Sequence, residues 1–215
     1  MAAIFPNGTT FAISGSPAAP KTVTAITNAN PGVASSTAHG FTNGGILLLS
    51  MPSRLDQRVV RVANSAANAF DLEGVDTTST TVYPAGFGVG SAALVSTFTS
   101  LSQTVEVAGS GGEQQFAQWT YIEDGRQRQR PTFKNARALT LTMHYDPSLA
   151  WHAALLAADL AGDVRVLRAT LPGGAVLYWS VYVGFDGQPS IQINENMAVT
   201  ASFALACPDV TRYAS

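Results

Sequence analysis

The chain has 215 residues, enough for one large all-β domain or two smaller ones, and at this size folding buries roughly 70% of the unfolded surface without a staple. Charged residues make up 12% of the chain against a typical ~25%, and the net charge of −2 excludes a chain that is basic throughout for gripping nucleic acid. The single Cys207 excludes an internal disulfide and a multi-cysteine metal site, and no run of 18 apolar residues offers a membrane span.

The N-terminal "MAAIFPNGTT" lacks a basic stretch followed by an apolar core, so no secretory signal is expected and the chain is expected to stay in the cytosol. Residues 22–90 are rich in Asn, Gly, Ser and Thr. They carry short strand candidates at 22–27, 45–50, 58–63 and 69–73, each bounded by turn residues such as "NANPG", "TNGG" and "EGVD". This spacing predicts a small β-module, with "YPAGFGVGS" (83–91) as its exit linker.

Residues 91–215 predict a second, larger β-unit. "FAQWTYI" (116–122) is a strand candidate. The polar stretch that follows, "EDGRQRQRPTFKNA", is predicted to be a long loop with Glu123 and Asp124 at its base. Five of the 12 basic residues fall within 126–137: Arg126, Arg128, Arg130, Lys134 and Arg137. "RALTLTMHY" (137–145) alternates, placing Leu139, Leu141, Met143 and Tyr145 on one face.

One helix is predicted near 147–161, with Asp146 as N-cap, Pro147 at the first helical position and Gly162 as the stop. Leu149, Ala153, Leu156 and Leu160 form its predicted apolar stripe. Its body holds one charge, Asp159, so it needs cover on more than one side; Leu149, Trp151, His152 and Leu156 are its candidate inter-subunit residues. "AVLYWSVYVGF" (175–185) is apolar on both faces and predicts burial on both sides. "PGG" (172–174) and "FDGQPS" (185–190) are hairpin-turn candidates, and "MAVTASFALAC" (197–207) alternates again.

No constellation of residues points to chemistry. His39, His144 and His152 are scattered, with no third ligand beside any pair. His39 in "AHGFTNGG" precedes a strand and is expected to be a turn-and-packing residue. No Gly-x-Ser-x-Gly occurs, and Cys207 lies on the apolar face of its strand, where an inert thiol is expected. "GSGG" (109–112) and "GFGVGS" (86–91) open no helix and carry no phosphate-loop lysine. No catalytic residue, metal or cofactor is expected. The basic stretch is the best binding candidate. Arg suits bidentate pairing with acids on a neighbouring subunit, and Glu123 and Asp124 beside it disfavour phosphate.

Residues 139–206 resemble the core of tail tube (major tail) proteins of long-tailed bacteriophages. The resemblance is carried by the L-x-L-x-x-x-Y-D-P-S step, the L-P-G-G-A-x-L-x-x-x-x-Y-V hairpin and the closing M-A-V-T-A-S-F strand. "FPNGTTFAIS" and "TRYAS" fit the same pattern. The first module resembles a small β-unit of phage structural proteins through "AHGFTNGG", "NAFDLEG" and Tyr83. Gly45 stands where that pattern has Asp, and "PAGFG" replaces a closing double glycine.

The resemblance implies a mainly β protein. Residues 1–21 and 91–215 would form a β-sandwich or barrel-like tube core with one flanking helix, and 22–90 an inserted accessory module. It implies six copies closing into a ring and rings stacking into a hollow virion tail tube, assembled in the host bacterial cytoplasm. The implied partners are further copies of itself, the tape-measure protein, tail terminator and tip proteins, and double-stranded DNA in passage without sequence-specific binding; no membrane is involved. Ring closure leaves no free side edge and removes exposed strand edges, which accounts for sparse charge. Two other readings are open at this level. One is a tube protein of a contractile or secretion-type machine; the other is a carbohydrate- or receptor-binding module on a virion surface. A β-sandwich hydrolase would need an acid–base set that the chain lacks.

Overall fold

Short apolar runs between glycine and asparagine turns become strands, and the strands sort into two main sheets and a free-standing ribbon. The computed structural model describes residues 7–214. Residues 1–6, at the start of the 1–21 segment and of "FPNGTTFAIS", and Ser215 of "TRYAS" lie outside the described residues.

Strand β1 (Thr10–Ser14) belongs to the large sheet. The small sheet follows: β2 (Lys21–Val23), β3 (Ala25–Ile26), β4 (Val33–Ser35), β5 (Ile46–Ser50), β6 (Val59–Ala63), β7 (Ala69–Leu72) and β8 (Gly90–Val95). Next come β9 (Phe98–Leu101) and β10 (Thr104–Gly111), then the ribbon pair β11 (Gln114–Thr120) and β12 (Gln127–Lys134). The chain closes with β13 (Arg137–His144), α1 (Ala150–Ala161), β14 (Arg165–Thr170), β15 (Val176–Gly184), β16 (Ala198–Leu205) and β17 (Thr211–Tyr213).

The large sheet is antiparallel and barrel-like, in the order β10-β13-β16-β15-β14-β1-β9, with β17 on the free half of β15's edge. The alternating stretches of β13 and β16 stand side by side: Leu139 faces Phe203, Leu141 faces Ala201 and Met143 faces Val199. Leu141, Met143, Val199, Ala201 and Phe203 are buried against Ile13, Leu167, Val181 and the inner face of α1. Each such large side chain, fully buried, contributes about 1.5–3 kcal/mol. Strand β15 is buried on both sides over much of its length. Val181 and Val183 face α1, while Tyr178 points to the small sheet.

The small sheet runs β2-β8-β5-β6-β7-β4-β3. Its two end strands are separated in the chain by Thr24 alone, so the sheet curls back towards closure. Leu47, Leu49, Val60, Val62, Phe70 and Leu72 fill its interior. The opposite face of β5 and β6, through Ile46, Leu48 and Val59, packs on Val166, Tyr178 and Tyr213 of the large sheet. Because β8 pairs with both β2 and β5, the small unit's hydrogen bonding runs on to Val95, past residue 90.

His39 sits in this interior at 3% exposure. Its Nε2–H donates to the Ala66 carbonyl at 2.8 Å, its Nδ1 accepts the Phe41 N–H at 2.9 Å, and its ring packs on Phe41 and Phe70. Both ring nitrogens are spent on backbone, which fixes it as a turn-and-packing residue. Cys207 is likewise buried, and burial pushes its thiol pKa up.

Four expectations are corrected. Asp146 does not cap α1: its Oδ1 accepts the Ser148 N–H at 3.1 Å and hydroxyl at 2.6 Å, closing a turn just before the helix. The N-cap is Leu149, without a side-chain cap, while Gly162 ends the helix in the left-handed conformation as predicted. The buried stripe of α1 is Trp151, Leu155 and Ala158, not Leu149–Ala153–Leu156–Leu160; Leu160 is 90% exposed. The segment after β15 is no tight hairpin but a 185–197 loop, laid over His152 and Leu156 and anchored where the Phe185 N–H meets Asp159 Oδ1 at 3.2 Å. Finally, the stretch predicted as a long basic loop is largely strand.

Candidate assembly surface

Residues 127–134 pair with 114–120 as an antiparallel ribbon outside both main sheets. No apolar face is buried along it, which is why its sequence shows no strand periodicity. Period two still sorts its side chains. Trp119 lies opposite Arg128 and Ala117 opposite Arg130 on one face; Gln118 lies opposite Gln129 and Phe116 opposite Pro131 on the other. Pro131 sits next to the register shift at Gln114–Phe116, where a missing N–H is tolerated.

The tip is a turn through Tyr121–Arg126, closed by the Gly125 N–H donating to the Tyr121 carbonyl at 3.1 Å. Glu123 and Asp124 therefore stand at the tip of the ribbon and not at its base, which corrects the sequence placement. Asp124 accepts the Arg126 N–H at 3.1 Å and pairs with Arg128, and these partners hold its pKa below the usual range. The Arg128 guanidinium also lies 4.7 Å from the centre of the Tyr121 ring. Arg126 and Arg130 are exposed; Lys134 ends β12 and Arg137 opens β13 opposite Gly111. The seven charged residues singled out from sequence thus divide between a tip and a foot.

The ribbon also exposes aromatics that sequence reasoning did not single out: Phe116 at 50%, Trp119, Tyr121 and Phe133 at 66%, with Ile122 fully exposed at the turn. Their signal was the interleaving of aromatic and basic residues across 116–134. A two-stranded ribbon wet on both faces is marginal alone. Its aromatic and arginine content is the composition of association surfaces.

Of the helix residues, Trp151 is buried within its own subunit and Leu149 is half-buried against the core. His152 packs edge-on to Tyr145 and Phe185 at 5.8 and 5.4 Å. Only Leu156, 40% exposed, reaches the outer face, so Trp151 is corrected as an inter-subunit residue and Leu160 joins Leu156 there. Among the described residues, no three His, Cys, Asp or Glu side chains gather as metal ligands and no helix is long and apolar enough to cross a membrane.

The family model for "phage tail tube protein, TTP" matches residues 50–215. No curated protein matches the chain. Among solved structures the chain is similar to one from the virion of a native gene transfer agent particle, with TM-score 0.41 and 11% identity over 54% of this chain and 89% of that one. It is also similar to one from the tail of an empty gene transfer agent particle, with TM-score 0.42 and 10% identity over 55% and 88%. A third is an anti-feeding prophage cap, with TM-score 0.32 and 17% identity over 50% and 79%.

Proposed function

The chain belongs to the phage tail tube protein family, a structural component of the virion tail, and from that premise we propose that six copies close into a ring whose stacking forms the tube. The tube encloses the tape-measure protein before infection and conducts double-stranded DNA during it. It is assembled in the host cytoplasm and capped by terminator and tip proteins. The work involves no bond-making: the chain's task is to associate in one geometry and leave a channel that does not hold phosphate. Each neutralised phosphate would strengthen binding through counterion release, and the weakly acidic balance of the chain suits a conduit.

The observation that supports this most strongly is the ribbon 114–134. It buries nothing in its own subunit, yet carries Phe116, Trp119, Phe133 and three arginines. Cover from a neighbouring copy supplies what an isolated two-stranded ribbon lacks. Replacing residues 115–133 by a short Gly-Asn turn should leave a folded subunit, because both main sheets keep all their strands. Analytical ultracentrifugation should then show the full chain forming large species as concentration rises and the shortened chain staying monomeric. Equal association of the two would remove the ribbon from assembly.

A further inference from the structure

At the foot of the ribbon lies a cleft of about 560 Å³, lined by Arg54 of the small unit, Gly111, Gly112, Lys134, Arg137 and Asp209. Three cations from two segments meet there, Arg54 from one and Lys134 and Arg137 from the 134–137 stretch. Among the described residues Asp209 is the only acidic group lining the cleft, and it is 3.6 Å from Arg58, outside the cleft lining. None of Arg54, Lys134 and Arg137 forms an ion pair among the described residues. The glycines shape the floor. A Cβ on Gly111 would fall 1.9 Å from the Ala136 carbonyl oxygen, and one on Gly112 3.1 Å from Arg137 Cγ, so Arg137 keeps its place because both side chains are missing.

The opposite end of the ribbon carries one free acid, Glu123, in the same turn as the exposed Arg126. Glu123 projects from the tip turn and, among the described residues, has no ion pair or side-chain hydrogen bond, whereas Asp124 is held by Arg126 and Arg128. The tip cannot serve its own cleft. From Gln127 to Lys134 is seven steps of strand, about 23 Å at 3.3 Å per residue. Only another copy's tip can reach.

We propose that this cleft receives the tip of a second subunit's ribbon, the Glu123 carboxylate entering between Arg54, Lys134 and Arg137. The proposal rests on the tail-tube reading and specifies the contact that joins successive subunits. Arg fits a carboxylate bidentately, and the cleft draws cations from both the small unit and the ribbon's foot, so one carboxylate ties the module into assembly as well. The contact is head-to-tail, since tip and cleft are different surfaces, and it propagates from copy to copy.

The test is a charge exchange in the full chain. Glu123→Lys and the pair Arg54→Glu/Arg137→Glu should each raise the concentration needed for assembly about tenfold or more, because like charges then meet. The combined variant should recover most of the loss. Arg54→Lys/Arg137→Lys, which keeps the charge, separates a docking effect from misfolding if the reversal fails to fold. It should assemble far better than Arg54→Ala/Arg137→Ala. If the wild type assembles but neither exchange nor charge-keeping restores association, the tip docks elsewhere and the proposal falls while the tail-tube reading stands. If wild type forms no assemblies at any concentration, both fall. If cleft reversal abolishes retention of duplex DNA by the wild-type chain and leaves assembly unchanged, the cleft is a phosphate site and the proposal is overturned.

Discussion

Tyr213 ties the C-terminal strand to the small unit through both faces of its hydroxyl. The Oη accepts the Arg61 N–H at 2.6 Å and donates to the Glu73 carbonyl at 3.3 Å, while the Arg61 guanidinium lies 4.2 Å from the ring centre and pairs with the Glu73 carboxylate. Two residues earlier, Thr211 Oγ1 donates to the Val59 carbonyl at 2.6 Å. Tyr213→Phe leaves the Arg61 N–H without a partner in a buried seam and should cost about 1–3 kcal/mol in chemical unfolding. Burial raises the Tyr213 pKa from 10 to about 12. The folded state therefore holds the neutral phenol where the unfolded chain has lost its proton. That contribution is whole below pH 10 and lost as pH rises through 12. Melting curves taken between pH 10 and 12 should fall more steeply for the wild type than for Tyr213→Phe. Parallel decline would mean the hydroxyl is not in the seam. None of this was legible in "TRYAS", since Tyr213 meets residues more than 130 positions away. His39 was legible, because its turn leads into a strand and no second ligand or nucleophile stands near it in the sequence.

At the scale of elements, α1 and the ribbon were misread for opposite reasons. The helix AWHAALLAADLA is apolar almost all round, so several stripes satisfy the same spacing. The one that packs is the one carrying Trp151, whose bulk decides which face turns inward. Leu155→Ala should cost about 2–5 kcal/mol, against less than about 0.5 kcal/mol for Leu160→Ala, both read from denaturant midpoints. The reverse ranking would restore the stripe through Leu156 and Leu160. The ribbon has no inward face, so alternation had nothing to report, and its polar composition read as a loop. In contrast, β13 and β16 were legible residue by residue. One face is core and the other is not, and Leu141, Met143, Val199, Ala201 and Phe203 all pack as their spacing requires.

At the scale of the molecule, two curled sheets share a seam and leave three features uncovered: a basic-aromatic ribbon, a cationic cleft at its foot, and the outer stripe of α1. Of the large sheet, β13, β15 and β16 were legible because their apolar patterns stand out locally, whereas β9, β10 and β14 mix polar and apolar residues and gave no such signal. The seam was not legible, because it is made by the second face of β5, whose run of ILLL is buried on both sides and looks the same as any core strand. For the same reason β8 joins the small sheet although its sequence, GSAALV, marks no boundary. Sparse charge and uncovered apolar surface both fit a subunit completed by its copies. The proposed role is a hollow tube that the chain builds from its own copies. Negative-stain electron microscopy of the purified chain across a concentration series tests it most directly. Rings at low concentration and stacked, hollow tubes of uniform width at high concentration are expected; compact, uniform monomers at every concentration would rule the tube out.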